Sequence, residues 1–136
     1  TAARRTTPTP RRRVTIRAVL DTSAIRAYTA GSIDVGEIIG QLSDEGVQFG
    51  LPALCLIDAA IGATARDLAM LNLLTHHTAA ALMPLDTDQW QRIAAASSLY
   101  GATGRACAVI PVIDHNAEYV ITAEPDAYPG VDTIAI

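Results

Sequence analysis

Apolar and polar positions along the chain follow two rhythms. Short blocks of aliphatic and β-branched residues alternate with longer stretches in which apolar residues recur every three or four positions. VTIRAVL, residues 14 to 20, is a block of the first kind and ends at Asp21, as a buried strand does when it presents a polar side chain at its carboxyl end. Thr22 and Ser23 then suit the cap of a helix running through Ile25, Arg26 and Tyr28. In DVGEIIGQLSD, residues 34 to 44, Val35, Ile38, Ile39 and Leu42 fall at helical spacing, and Gly46 stops the run.

The same alternation continues. Val47 to Leu51 reads as a short strand, and Pro52 opens a helix with Leu54, Leu56 and Ile57 on its apolar face and Asp58 in its first two turns. Thr64 to His77 is helical in pattern, with Leu68, Met70, Leu71 and Leu74 forming a broad apolar face, and Ala79 to Leu85 is a third strand. Asp86 caps a helix over Thr87 to Tyr100, in which Trp90, Ile93, Ala94, Ser97 and Leu99 are expected mostly on a buried side. Gly101 and Gly104 break the chain, and Arg105 to His115 reads as a helix that Pro111 should kink or enter in its first turn. Tyr119 to Thr122 and Thr133 to Ile136 complete the strands.

Strands alternating with helices imply parallel strands joined by crossovers, hence an α/β sandwich with a mainly parallel sheet. In such sheets, sites form beyond the carboxyl ends of the strands, where Asp21 and Glu124 are both expected. The 136 residues suffice for one domain, assigned to residues 14 to 136. Residues 1 to 13, TAARRTTPTPRRR, hold five arginines, no acid and almost nothing to bury, so a disordered arm is expected there. An arm of this kind serves either as a nucleic-acid contact or simply as a solvated extension.

Composition adjusts the picture in three ways. Half of the residues are hydrophobic but only 4% are aromatic, so the core must come from Ala, Leu, Ile and Val. No apolar run approaches the roughly 20 residues of a membrane span, which makes a cytoplasmic location the expectation. Cys55 and Cys107 lie in apolar helical segments, as buried reduced thiols do. The net charge of −4 conceals the basic arm on an acidic body, and that body offers few cations for RNA beyond Arg26, Arg66, Arg92 and Arg105.

Candidate chemistry concentrates in VLDTSAI, residues 19 to 25. A haloacid-dehalogenase-like phosphatase needs a second Asp at the position held by Ser23, and a phosphoacceptor receiver needs a late Lys that this chain lacks. The pattern instead resembles the PIN domain, the fold of VapC-type toxin ribonucleases, through VLDTSAI, LPALCLIDAA, PLDTDQW and VITAEPDAY. That resemblance spans about Val14 to Ile136 and implies a three-layer α/β/α sandwich, Mg²⁺ or Mn²⁺ as cofactor, RNA as ancestral substrate, a small antitoxin partner and a homodimer.

By resemblance, Asp21 matches the first metal-site Asp and Asp58 stands where the family usually carries Glu. Glu124 stands near the family's last Asp, and Thr22 or Ser23 would position a metal-bound water. The third family carboxylate aligns with Gly104, and no Asp or Glu lies between Asp88 and Asp114. Clustered carboxylates hold a divalent ion that activates water against a phosphodiester, so losing one weakens both the binding and the hydrolysis. Arg105, beside the empty position, would favour an anion there. The plainer alternative makes Asp21 and Asp58 helix caps, and makes the whole chain a non-catalytic interaction module on a PIN-like scaffold. His76 and His77 point about 100° apart on a helix and read as a solvated helix end rather than as ligands.

Overall fold

The computed structural model describes residues 15–136; the arginine-rich stretch read as a disordered arm lies outside them. In chain order the elements are β1 (Ile16–Leu20), α1 (Thr22–Thr29), α2 (Ile33–Asp44), β2 (Gln48–Pro52), α3 (Ala53–Ala60) and α4 (Ala65–Thr75). They continue with β3 (Ala80–Met83), α5 (Trp90–Tyr100), α6 (Thr103–Ile113), β4 (Tyr119–Thr122) and β5 (Thr133–Ala135). The strands form one sheet in the order β3-β2-β1-β4-β5, and every pairing is parallel.

From β1 the chain steps outward twice to β2 and β3, then returns to the other side of β1 for β4 and β5. Because parallel crossovers are right-handed, the reversal sends the helices of the two halves to opposite faces. It also creates a switch point between β1 and β4, where Val19 pairs with Val120 and Leu20 with Ile121. Connections diverge at such a point and leave a crevice beyond the strand ends.

Local signals explain most of the boundaries. Asp21 caps α1 by accepting from the Ala24 N–H at 2.9 Å, and Ser32 caps α2 through Val35. Thr64 and Asp67 form a reciprocal capping box on α4. The core is aliphatic as expected: Val19, Leu20, Leu51, Val120 and Ile121 of the strands are fully buried together with Ile25, Val35, Leu74 and Val109 of the helices.

Three expectations need correction. No residue of α5 is buried, and Trp90 and Leu99, read as inward-facing, are 64% and 74% exposed. They stand nine positions apart, half a turn out of phase, so no single neighbour could cover both, and α5 packs chiefly on α6 rather than on the sheet. In α3 the buried positions are Cys55 and Ala59 while Ile57 is exposed, because the helix turns its small side chains toward its neighbours. In α4, likewise, Leu71 and Leu74 are buried and Leu68 is exposed.

The last helix starts at Thr103, two residues before the expected Arg105, since Gly101 adopts the left-handed conformation (φ 86°) that ends α5 and frees the chain to re-enter a helix at once. Pro111 lies in the final turn of α6, not its first, and removes one internal donor two residues before the helix ends at Ile113. Among the described residues, no helix is long and apolar enough to cross a membrane.

Candidate functional site

Beyond the carboxyl ends of β1 and β4 lies a cavity of about 280 Å³ lined by Asp21, Thr22, Asp58, Gly104, Arg105 and Glu124, among others. Four elements supply it. Asp21 leaves β1, Asp58 projects from α3, Gly104 and Arg105 open α6, and Glu124 follows β4. Sequence positions far apart therefore meet because the chain reverses direction at the switch point.

Asp21 is 2% exposed and tightly bound. Its Oδ1 accepts from the Ser23 hydroxyl at 2.6 Å and from the Ala24 N–H at 2.9 Å, and its Oδ2 accepts from the Tyr128 hydroxyl at 2.7 Å. With its proton committed to Asp21, Ser23 can only accept from its other neighbours: the Ala123 N–H at 2.9 Å and the Thr122 hydroxyl at 3.2 Å. Thr122 in turn accepts from the Glu124 N–H at 2.9 Å. A directional chain of hydrogen bonds thus stitches the start of α1 to the end of β4. Tyr128 completes it from the loop beyond β4; burial first, and the adjacent Asp21 carboxylate second, push its phenol far above the usual range, so it remains a donor.

Asp58 is different. It is half-buried, its backbone carbonyl accepts from Arg26 at 2.9 Å, and among the described residues no hydrogen bond holds its carboxylate. Its Oδ2 lies against α6: a Cβ added at Gly104 would come within 2.9 Å of that oxygen and 3.0 Å of Thr22 Oγ1. The missing side chain at position 104 therefore points into the cavity between Asp58 and Thr22, the place the sequence alignment assigned to the lost carboxylate. The gap is a narrow one, because the Asp58 carboxylate and the Thr22 hydroxyl border it.

Around that contact sit two sulfur and oxygen groups that the chemistry must account for. Cys55 is buried and donates to the Gly104 carbonyl at 3.2 Å. Burial is the main reason its thiol is pushed up to about 12, with Asp21 and Asp58 adding to the rise and the nearby Thr22 hydroxyl opposing it. The Thr22 hydroxyl oxygen is itself buried without a hydrogen-bond partner, which makes it an orphaned polar atom at the cavity wall. Cys107 is half-buried, and burial together with Asp58 raises its thiol as well; both cysteines are free.

Glu124 reaches the cavity from its exposed rim, with its side chain 53% exposed and 3.4 Å from Arg105 Nη2. Arg105 also donates to the Tyr100 carbonyl at 3.0 Å, and Arg26 lines the cavity too. The histidines lie elsewhere. His76 bonds the Asn72 carbonyl at the end of α4, whereas His77 accepts from Ala79 N–H and packs edge-on against Phe49, which makes it more than a solvated helix end.

A divalent ion of the Mg²⁺ type needs oxygen donors with lone pairs to spare. Both lone pairs of Asp21 Oδ1 are taken, Oδ2 is buried against Tyr128, Glu124 is drawn toward Arg105, and two guanidinium groups stand on the walls. Among the described residues, no group of three or more His, Cys, Asp or Glu is placed to hold a metal ion. As they stand, these side chains do not fit such an ion. Sequence reasoning missed Tyr128, whose only signal was its place in TAEPDAY, a few residues past the strand that faces Asp21.

The architecture defines a class: this is a PIN-like fold, a five-stranded parallel sheet flanked by helices. No protein-family profile matches the sequence, and no curated protein does. Among solved structures, a chain of VapBC2 from Rickettsia felis, bound to a DNA fragment from their promoter, superposes with a TM-score of 0.64. The match covers 89% of this chain and 99% of that chain at 10% sequence identity. A likeness at that identity speaks to the fold, and it agrees with the fold expected from the motifs.

Proposed function

We propose that this chain is a PIN-like protein related to metal-dependent ribonucleases, in which hydrolysis of RNA phosphodiesters is weak or absent. Asp21, Asp58 and Glu124 are the remnants of the catalytic carboxylates in this reading. The observation that carries it is the position of Gly104, where the first carbon of any side chain would come within 2.9 Å of Asp58 Oδ2 and 3.0 Å of Thr22 Oγ1, so a carboxylate there would have to displace both. Water activation against a phosphodiester relies on an ion held by several such groups.

The likeness in fold to a VapBC chain supports a toxin–antitoxin origin and with it a small antitoxin partner; a homodimer belongs to this reading through the resemblance of the motifs alone. The decisive experiment incubates purified protein with a panel of single-stranded RNAs and Mn²⁺ or Mg²⁺, beside an Asp21→Asn variant. Little or no cleavage that depends on Asp21 is expected; robust cleavage lost in the variant would sink the reading.

A second reading, the non-catalytic interaction module, is favoured by the flank around α5. There Leu54, Leu85, Trp90, Ile93 and Ala94 line an open apolar hollow of about 460 Å³, and Trp90 is mostly exposed. Monomeric surfaces seldom leave large apolar groups in one patch unless something binds there. Analytical ultracentrifugation of wild type and Trp90→Ser tests self-association through this face: one mass at every concentration for both would exclude it.

A further inference from the structure

We infer that the Tyr128 hydroxyl occupies the coordination position on Asp21 that a divalent cation would take, so that this site is closed by a hydrogen bond rather than by a metal. The inference rests on the reading of the cavity as a remnant of a metal-dependent one, and concerns a residue which that reading does not involve. Tyr128 is 2% exposed, and its hydroxyl donates to Oδ2 at 2.7 Å. A carboxylate stripped of its ion must find other partners, because an unpaired buried charge costs far more than a paired one. Asp21 has found three, of which two are local to its own turn and would form in any capped helix start. Tyr128 is the third, 107 positions away in sequence, and it approaches the oxygen that the cap leaves unused.

Geometry elsewhere in the cavity agrees. Arg26 and Arg105 line it and supply positive charge without coordination, and Arg105 lies within reach of Glu124, whose side chain is half-exposed. Tyr128 is anchored by its ring as well as its hydroxyl, since it stacks at a tilt on Tyr100 with 6.1 Å between centroids, and Arg105 bonds the Tyr100 carbonyl. The tyrosine is therefore held in place from both ends and does not swing aside for an ion.

The test follows Mn²⁺ binding by calorimetry and by thermal midpoint, both without RNA. Wild type should show no midpoint shift at millimolar Mn²⁺. Tyr128→Phe should melt several degrees lower without metal, and should bind Mn²⁺ at least about tenfold more tightly than wild type, a gain of about 1.4 kcal/mol. Tyr128→Leu, which also clears the ring, should bind at least as well, and Ser23→Ala should lose stability without gaining Mn²⁺ affinity because it leaves Oδ2 covered. A wild-type midpoint raised by Mn²⁺ and made insensitive by Asp21→Ala would overturn the inference without any Tyr128 variant. Folded Tyr128→Phe and Tyr128→Leu proteins that bind no more Mn²⁺ than wild type would overturn it as well. Either result can arise while the RNA assay stays negative, so failure here is separate from failure of the proposed function.

Discussion

Asp21 and Asp58 line the same cavity, yet one is locked and the other loose. Three donors hold Asp21 at the β1/β4 switch point, whereas the Asp58 carboxylate rests against a glycine with no hydrogen bond of its own. The difference teaches that a carboxylate's place in a motif does not fix its job. Asp21 joins two segments of backbone through its hydrogen bonds, and the Asp58 carboxylate borders the space beside Gly104.

If that contrast is right, Asp21→Ala should be the most damaging change, costing about 3 kcal/mol in urea unfolding. It removes the α1 cap and strands the buried Tyr128 hydroxyl. Asp58→Ala should cost less than about 0.5 kcal/mol in the same measurement. Equal losses would erase the distinction between the two residues.

Gly104→Ala comes next, at no more than about 1 kcal/mol, since the new methyl would stand 2.9 Å from Asp58 Oδ2 and 3.0 Å from Thr22 Oγ1 while the helix gains from losing a glycine. In an Asp58→Ala background most of that penalty should vanish, and a double-mutant cycle reads the coupling directly. Additive costs would mean that Asp58 is not what crowds the position.

The last effect is set by pH. The Cys55 thiol has an ordinary value of 9.0 and is pushed up to about 12 in the folded chain, so the unfolded chain releases this proton first. Stability from Cys55 is thus complete below pH 9 and falls by up to about 1.4 kcal/mol per pH unit as pH rises toward 12. The difference between wild type and Cys55→Ala, followed by denaturant melts from pH 8 to 11, should shrink along that slope. A constant difference would place the thiol outside the buried contact with Gly104.

Much of the fold was legible beforehand because it depends on local rules. Five short aliphatic blocks separated by capped helical stretches leave few alternatives to a parallel sheet, and the strand ends were foreseen to within two residues of those observed. Asp21 was visible as a polar residue ending a buried strand, and Asp58 as a residue of the third helix. The α5 face was misread because helical periodicity says which residues share a side, not whether anything covers that side. Tyr128 escaped notice because a loop tyrosine carries no pattern, and its partner lies across the sheet.

The sequence alone determined the strand and helix rhythm, the aliphatic core and the caps, since each follows from neighbours within a few positions. Only the tertiary structure decided which donors reach Asp21, how closely Asp58 approaches α6, and which helix stays uncovered. Those are matters of distance between segments up to a hundred residues apart. Such distances follow from where the chain reverses at β1 and β4 and how its helices then pack, which no local window contains.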